Sequence, residues 1–531
     1  MSWRSQSCLA QAGSMIETGR TTMGVETDVI IVGAGPTGLM LAGELRLTGV
    51  RALVLERHPQ PRETPKASGL GGRILDVLRY RGLLERMEAV ADGGYPPPRF
   101  PFGGVHLDLT ALADPPMRAL SIAQHAIERV LAESADELGA RIRRGHEVIG
   151  VSQDDSTVTA HVRGPDGEYR VTARYLVGCD GGRSPIRAMA GIDFPGTTFS
   201  EVNRLAQVTV PDEVTVLANG DLEIPGTATV RSGFTRTEHG MFAVAAHNGI
   251  LYLQSTEDEP ADYDPDDPLT IPELRDSIRR VLGHDLPLGE PTRLSRYVFQ
   301  DRQAEHYRAG RVFLAGDAAH LFPATGTALN CGLTDTVNLA WKLAAAVQGW
   351  APEGLLDTYH TERHAAGARA RLQTRAQVAL RRGGDPAADA LRTVFAELLS
   401  DEPAARRMGA LVGGTDIHYP MPGTHPLTGT FAPDLTLHIE GDVTGVAELM
   451  HTPHPVLLDL SGREDLREIA EGWRNRVDII TAKTDNPPAD ALLIRPDAHI
   501  AWAADFDEPT DTAAPALREA LSTWFGETMS S

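Results

Sequence analysis

The chain has 531 residues, 42% of them hydrophobic and 23% charged, ordinary proportions for a globular protein long enough for two or three domains. Its 50 basic and 72 acidic residues leave a net charge of −22, which argues against nucleic acid or an anionic membrane as partner, since both select basic surface. No apolar run of about 18 residues is present, so no transmembrane helix is expected. Cys8, Cys179 and Cys331 stand apart without CxxC or zinc-ligand spacing, which excludes a disulfide framework, leaves no expected metal site and suits a reducing, cytoplasmic setting.

Residues 1–25 lack the apolar core of a signal peptide and are expected to form a disordered extension, with Met15 or Met23 as alternative starts. Asp28-Val-Ile-Ile-Val32 is a continuous, β-branched apolar run of the kind that forms a buried parallel strand. Gly33-Ala-Gly-Pro-Thr-Gly38 follows, then helical spacing at Leu41, Ala42 and Leu45 up to a stop at Gly49, then a second buried strand, Ala52-Leu-Val-Leu55, ending at Glu56. This is a complete βαβ unit. Ile74 to Met87 and His125 to Leu138 read as helices, and Gly164-Pro-Asp-Gly167 as the turn of a hairpin. Tyr175-Leu-Val-Gly178 is a further buried strand, leading into Cys179-Asp180-Gly181.

From about 196 to 300 the pattern becomes strand-rich. Met241-Phe-Ala-Val-Ala and Ile250-Leu-Tyr-Leu-Gln254 flank Asn248-Gly249, a strong hairpin signal. Alternation puts only half of Met241, Phe242, His247, Tyr252 and Gln254 on one face, and the sequence leaves open which half. Val312-Phe-Leu-Ala315 returns to the buried-strand pattern; a helix is expected from about Asn330 to Gln348, and residues 352–411 look mostly helical. The last hundred residues carry four strands in βαβββα order, suggesting a small separate α/β domain.

A lone GxGxxG is weak evidence. Here Gly33, Gly35 and Gly38 stand between a buried strand and a helix, where bare backbone lets a pyrophosphate approach the helix N-terminus. Glu56 ends the next strand, the place of an acid that hydrogen-bonds adenosine ribose, and so suits FAD or NAD; Arg57 beside it leaves a 2′-phosphate open. Arg311-Val-Phe-Leu-Ala-Gly-Asp317 puts a second carboxylate at the end of a buried strand, where it can accept from the ribityl hydroxyls of a flavin.

With these three ordered motifs, roughly residues 27–375 closely resemble the single-component FAD-dependent aromatic hydroxylases built like para-hydroxybenzoate hydroxylase. Asp357-Thr-Tyr-His-Thr-Glu-Arg363 extends the similarity, and the C-terminal part resembles the thioredoxin-like domain of the larger members, those of bacterial aromatic polyketide pathways, without its redox cysteines. The resemblance implies an α/β fold: a Rossmann-like FAD-binding domain (26–195 and 301–410), an inserted β-sheet substrate domain (196–300) and a thioredoxin-like domain (425–531). It further implies that Gly33, Gly35, Pro36, Thr37 and Gly38 contact the pyrophosphate and Glu56 and Arg57 the ribose end. Gln124 would reach the flavin phosphate or ribityl region, and the backbone of Val148 the adenine. Asp180 and Gly181 would serve FAD and NADPH, and Asp317 the ribityl chain. Lys66 stands near the place of a flavin-proximal arginine, keeping its charge but not its planar fork.

The family's loop after His320 reads proline, any residue, Gly-Gly, any residue, Gly-Met-Asn; here Pro323, Gly326 and Asn330 remain, while Thr325 and Ala328 replace glycines and Leu329 the methionine. The backbone of Pro323, with Gly326, Ala328, Leu329 and Asn330, would face the flavin, and Thr325 and Ala328 add bulk where it must move. By resemblance, NADPH (or NADH) reduces FAD, O2 adds, and a C4a-hydroperoxyflavin delivers one oxygen atom to a polycyclic aromatic polyketide, as a hydroxylation. Baeyer–Villiger oxidation or oxidative rearrangement is the alternative outcome, and a catalytically silent partner protein the alternative class. Oligomeric state is left open. Cys179 and Cys331 are expected to be packing residues, and His320 to be structural or to contact the flavin.

Overall fold

The computed structural model describes residues 25–61, 67–226, 229–258, 268–323, 326–381 and 386–528; all but the last residue of the extension expected over 1–25, together with Lys66 and Thr325, lies outside them. The N-terminal part runs β1 (Val29–Val32), α1 (Pro36–Leu47), β2 (Ala52–Glu56), α2 (Arg73–Tyr80), α3 (Gln124–Glu137), β3 (Arg141–Arg144) and β4 (Tyr175–Gly178). The middle part runs β5 (Gly196–Thr209), β6 (Gly233–Thr237), β7 (Gly240–His247), β8 (Ile250–Asp258), α4 (Ile271–Leu282) and β9 (Pro291–Gln303). The chain returns with β10 (Arg308–Ala309), β11 (Val312–Leu314) and α5 (Ala328–Gln348), then α6 (Asp357–Arg381), α7 (Pro386–Leu398) and α8 (Glu402–Gly413). It closes with β12 (Val456–Asp459), β13 (Asp478–Thr481), β14 (Ala491–Ile494), β15 (Ile500–Ala504) and α9 (Thr510–Phe525).

The first sheet has the order β10-β11-β4-β1-β2-β3, parallel except at β10. The four residues of β1 are all buried, as the unbroken Val-Ile-Ile-Val run requires of a central strand covered on both faces. Glu147–Gln153, Val158–Gly164 and Gly167–Ala173 make a three-stranded antiparallel sheet, one strand more than the expected hairpin. The second large sheet has the order β6-β7-β8-β5-β9 and then His320–Leu321, so it reaches beyond residue 300 into the segment that enters α5. Its core forms between Phe242, Val244, Leu251 and Leu253 and the buried face of α4, Leu274, Ile278 and Val281. The C-terminal sheet has the order β13-β12-β14-β15.

Two boundaries differ from expectation. The helix expected over Ile74–Met87 is two helices, α2 and Leu84–Glu88, because Gly82 takes a left-handed φ of 65° and the Leu83 amide closes onto the Leu78 carbonyl at 2.8 Å. The helix expected from Asn330 already begins at Ala328. The hairpin Thr436–Ile439/Asp442–Gly445 carries no strong turn pair and was not expected.

Two glycines of α1 have opposite requirements. A Cβ on Gly38 would stand 2.0 Å from the Gly33 carbonyl oxygen, whereas one on Gly43 would meet nothing within 4 Å. Gly38→Ala is therefore expected to destabilise the chain by about 1–3 kcal/mol through overpacking, and Gly43→Ala to stabilise it by up to about 1 kcal/mol through helix propensity. Urea unfolding of the two variants, with opposite shifts in midpoint, checks both.

Candidate active site

Three segments distant in sequence meet at one edge. β1, β4 and β11 are adjacent and parallel, so Gly33–Gly38, Asp180–Gly181 and Gly316–Asp317 all follow the carboxyl ends of neighbouring strands, where open α/β sheets bind ligands. Gly33 has a φ of 107°, and a Cβ there would lie 2.4 Å from the Cys179 carbonyl oxygen; only glycine lets the two turns touch. At Gly35 and Gly181 a Cβ would meet nothing within 4 Å, so both turns present bare backbone to open space. The N-terminus of α1 has Gly35 as cap and Pro36 in its first turn, and no side chain caps it. Its amides and dipole are left for an anion.

Around this edge, Glu56 is half-buried, accepting from the Ala34 amide (2.8 Å) and the His58 amide (2.9 Å). The acid at the end of β2 thus braces the glycine turn. Arg57 is exposed. Val148 is buried beside a bulge, on the strand entered through His146, whose amide donates to the Glu56 carbonyl. Asp180 accepts from the Ile186 amide through Oδ2 (3.0 Å), while its Oδ1 is buried with no hydrogen-bond partner, and burial pushes its carboxyl up. Asp317 is half-buried in the turn Gly316–Ala318, three residues past the end of β11. Bare glycine turns, an uncapped helix and an orphaned carboxylate oxygen make a donor and acceptor set that fits the pyrophosphate and hydroxyls of FAD.

The loop into α5 is held from both sides. Asn330 donates through Nδ2 to the Gly326 carbonyl (2.7 Å) and accepts from the Gly71 amide (3.2 Å). Ala328 and Leu329 open α5, whose cap residue Thr327 makes no side-chain cap bond, so a second helix N-terminus stands free. Pro323 is buried. Gln124 accepts from the Ala67 amide (3.0 Å) and donates to Glu128 (2.8 Å), bracing the segment after Lys66. Thr37 turns inward: its Oγ1 lies 2.7 Å from a Cβ position on Gly316 and 2.9 Å from one on Gly332, so its side chain packs motif against helix.

The structure decides which half of the middle sheet faces the cleft. Phe242 lies under α4, so Met241, Tyr252 and Gln254, paired across β7, β8 and β5, share the opposite face; His247 shares their parity and is exposed at the strand end. Tyr297 and Phe299 of β9 are on that face, their rings 5.6 Å apart, with Arg381 4.3 Å over Phe299. The hairpin Arg99–Phe102/Val105–Asp108 spans the gap: Arg236 of the sheet donates to its Gly103 carbonyl (3.2 Å), and Phe100 lies 3.8 Å from a Cβ position on Gly326. Arg293 Nε is buried without a hydrogen-bond partner, and Arg381 Nη2 is paired with Glu201 at 3.7 Å. These four β9 and α6 residues escaped the sequence reading; the alternation at 293, 295, 297 and 299 was the available signal.

Beneath the loop lies a buried ion cluster. The Asp335 carboxylate accepts from the Gly316 amide (3.0 Å), His320 Nε2 (2.7 Å) and Arg363 Nε (2.7 Å). Arg363 also donates to the Tyr419 hydroxyl (2.9 Å), the Thr334 hydroxyl (2.8 Å), and the Cys331 carbonyl (3.2 Å) and Sγ (3.4 Å). His320, Cys331 and Asp335 are metal-ligand types with donor atoms within 4.8 Å of one another, but the Arg363 guanidinium already supplies the neutralising charge. Burial works against the charged forms, yet the neighbouring Cys331 and Asp335 hold the His320 imidazole well above its usual range, and His320 and Arg363 hold Asp335 below its own. For Cys179, burial and the neighbouring Asp180 push the thiol up, which suits an inert residue.

A second cluster ties in the C-terminal part. Arg495, wholly buried, donates to both oxygens of Glu362 (2.7 and 2.8 Å) and to Asp497, while Lys342 donates to Glu362 (2.8 Å). Burial opposes ionisation, but Arg495 and Lys342 bring Glu362 down to about 2, and Arg495 and His499 hold Asp497 far below its usual range.

Comparisons with known proteins match a FAD binding domain over residues 26–374 and the C-terminal part of aromatic-ring hydroxylases over 425–528. The chain is 40% identical over 512 residues, 94% of this chain and 99% of the other, to the 12-dehydrotetracycline 5-monooxygenase/anhydrotetracycline 6-monooxygenase of Streptomyces rimosus. It is 39% identical over 507 residues, covering 94% and 98%, to the dialkyldecalin synthase of Streptomyces rugosporus. The solved anhydrotetracycline hydroxylase of Streptomyces rimosus superposes with a TM-score of 0.84 at 38% identity, covering 95% of this chain and all of that one. Among the described residues no helix is long and apolar enough to cross a membrane.

Removing one member of a buried ion cluster strands the others. Arg363→Gln is expected to lose about 3–5 kcal/mol of stability, read by urea unfolding. Asp335, Glu362 and Asp497 are depressed carboxyls, so their contribution is complete above about pH 4.5 and is lost as the pH falls toward 2. Unfolding free energy measured from about pH 6 to pH 3 should fall steeply in the parent chain and less steeply in Arg495→Met.

Proposed function

Since this chain belongs to the FAD-dependent aromatic-ring hydroxylases, a family of flavoprotein monooxygenases, we propose that it uses FAD and NADPH or NADH to hydroxylate a polycyclic aromatic polyketide with O2. The observation that carries this reading is the convergence of three motifs at the carboxyl edge of one parallel sheet, in a chain 40% identical to a tetracycline-pathway monooxygenase over nearly its whole length.

When bound, FAD supplies the electron acceptor for the nicotinamide and the centre at which O2 is activated. The chain's own residues bind and orient. Gly33, Gly35, Pro36 and Gly38 offer backbone and the dipole of α1 to the pyrophosphate; Glu56, with Arg57 near it, takes the adenosine ribose, and the Val148 backbone the adenine. Asp180 uses its unpartnered Oδ1, Gly181 leaves room beside it, and Asp317 holds the ribityl chain. Pro323, Gly326, Ala328, Leu329 and Asn330 seat the flavin ring, where the free N-terminus of α5 favours negative charge. Thr37 acts through packing. Met241, Tyr252, Gln254, Tyr297 and Phe299 form the apolar and hydrogen-bonding wall that places the aromatic substrate and excludes water.

The similarity to a dialkyldecalin synthase supports a second reading, in which the same scaffold acts as a synthase. Its visible absorption as purified, followed by NADPH addition in air with polycyclic phenols present, separates the two. The expected outcome is a flavin spectrum that bleaches with substrate present, and a product heavier by one oxygen atom. A protein that cannot be reconstituted with FAD overturns the proposal. Bound flavin with product of unchanged oxygen content selects the synthase reading.

A further inference from the structure

Between α2, the first turns of α5, α6 and the end of α8, the fold leaves a cavity of about 80 Å3. About 10–15 Å3 of such volume admits one water-sized molecule, so there is room for several small ones. Its wall includes Gly71, Thr327 and Asn330, residues that hold the flavin loop, and Arg369, whose side chain is 44% exposed. Neither the pyrophosphate turns nor any strand of the middle sheet contributes to its wall. It is a separate cavity that borders the loop into α5.

The wall is chemically drier than its residue types suggest. Its apolar lining includes Ile74, Val77, Val337, Ala366, Ala370 and Leu411. The polar side chains along it are spent on one another. Arg363 uses its donors on Asp335, Tyr419, Thr334 and Cys331. Asn338 donates to Glu362 and Asp497 and accepts from Lys342. Asn330 bridges Gly326 and Gly71, Gln373 donates to Thr327 and accepts from Gln377, and Arg369 is paired with Asp416. Among the described residues, none of the buried side-chain polar atoms that lack a partner belongs to this wall. An apolar cavity with a satisfied wall disfavours water, which needs two to four polar partners, and accepts small apolar molecules.

We infer that this cavity is a conduit and store for dioxygen, carrying a small apolar gas from the partly exposed Arg369 to Asn330 of the flavin loop. The inference rests on the monooxygenase reading, which makes O2 a co-substrate. It assigns separate routes to the two: the bulky aromatic enters opposite the middle sheet, and O2 arrives through this cavity.

Xenon, an apolar probe of similar size, tests the cavity itself. Holoenzyme crystals pressurised with xenon are expected to show it bound between Val337 and Ala366 in the parent chain, and not in Ala366→Leu, which fills the bore. Photoreduced holoenzyme mixed with O2-saturated buffer tests the route without depending on the nicotinamide step. In Ala366→Leu the second-order rate of flavin reoxidation should fall at least about fivefold, while the visible flavin spectrum stays the same. Ala370→Leu serves the same purpose if Ala366→Leu does not retain flavin. No xenon in the parent cavity overturns the inference, and so does a reoxidation rate that both fillings leave unchanged. Failure of the monooxygenase reading shows separately, as slow reoxidation by the parent enzyme or absent oxygenated product while xenon still binds.

Discussion

The site depends on one buried carboxylate. Asp335 fixes the Gly316 turn through its amide, orients His320 and pairs with Arg363. Remove it and the turn bearing Asp317, the loop after His320 and the start of α5 lose their common anchor. A charge so deeply buried is tolerable only because two cations and a backbone amide meet it; an uncompensated carboxylate there would have to take up a proton. The same requirement makes Arg363 indispensable to the geometry, since its donors span Asp335, the α5 backbone and Tyr419.

This arrangement gives the C-terminal part a role that needs no thiol chemistry. Tyr419, Asp497 and Arg495 come from outside the flavin-site sheet, yet they complete the pairing of Glu362, Arg363 and Asn338 on α5 and α6. Arg495 is enclosed by the Trp341, Trp524 and Tyr419 rings, at 5.2, 4.5 and 5.6 Å, which adds cation–π attraction to its ion pairs. The C-terminal sheet and α9 thereby brace α5, the helix whose N-terminus faces the cofactor loop. The C-terminal part serves here as a clamp.

Much of the cofactor edge was legible from residues alone. Strand, glycine turn and helix are contiguous in β1 and α1, so local periodicity and the absence of Cβ atoms at Gly33, Gly35 and Gly38 announce their geometry. Asp180 and Asp317 were visible as acids closing buried strands, although Asp317 stands in a short turn beyond β11 and not on the strand itself. Thr37 illustrates the opposite case. Its side-chain hydroxyl faces the bare Cα atoms of Gly316 and Gly332, a packing contact, and those residues lie some three hundred positions away in the chain. Gln124 likewise braces backbone in this structure.

What the sequence determined by itself was the succession of the main elements, the parallel sheet and the place of three motifs at the ends of its strands. Each of these follows from neighbours within a few residues, where backbone sterics and hydrophobic period act. Tertiary structure decided which face of the middle sheet meets the cleft, because β alternation makes both faces equally regular until α4 covers one of them. It alone decided the partners of the buried charges: Arg363 lies 28 residues from Asp335, and Arg495 lies 133 from Glu362. Charges so far apart carry no local signal of pairing, and only the packing that excludes water from both makes the pairing obligatory.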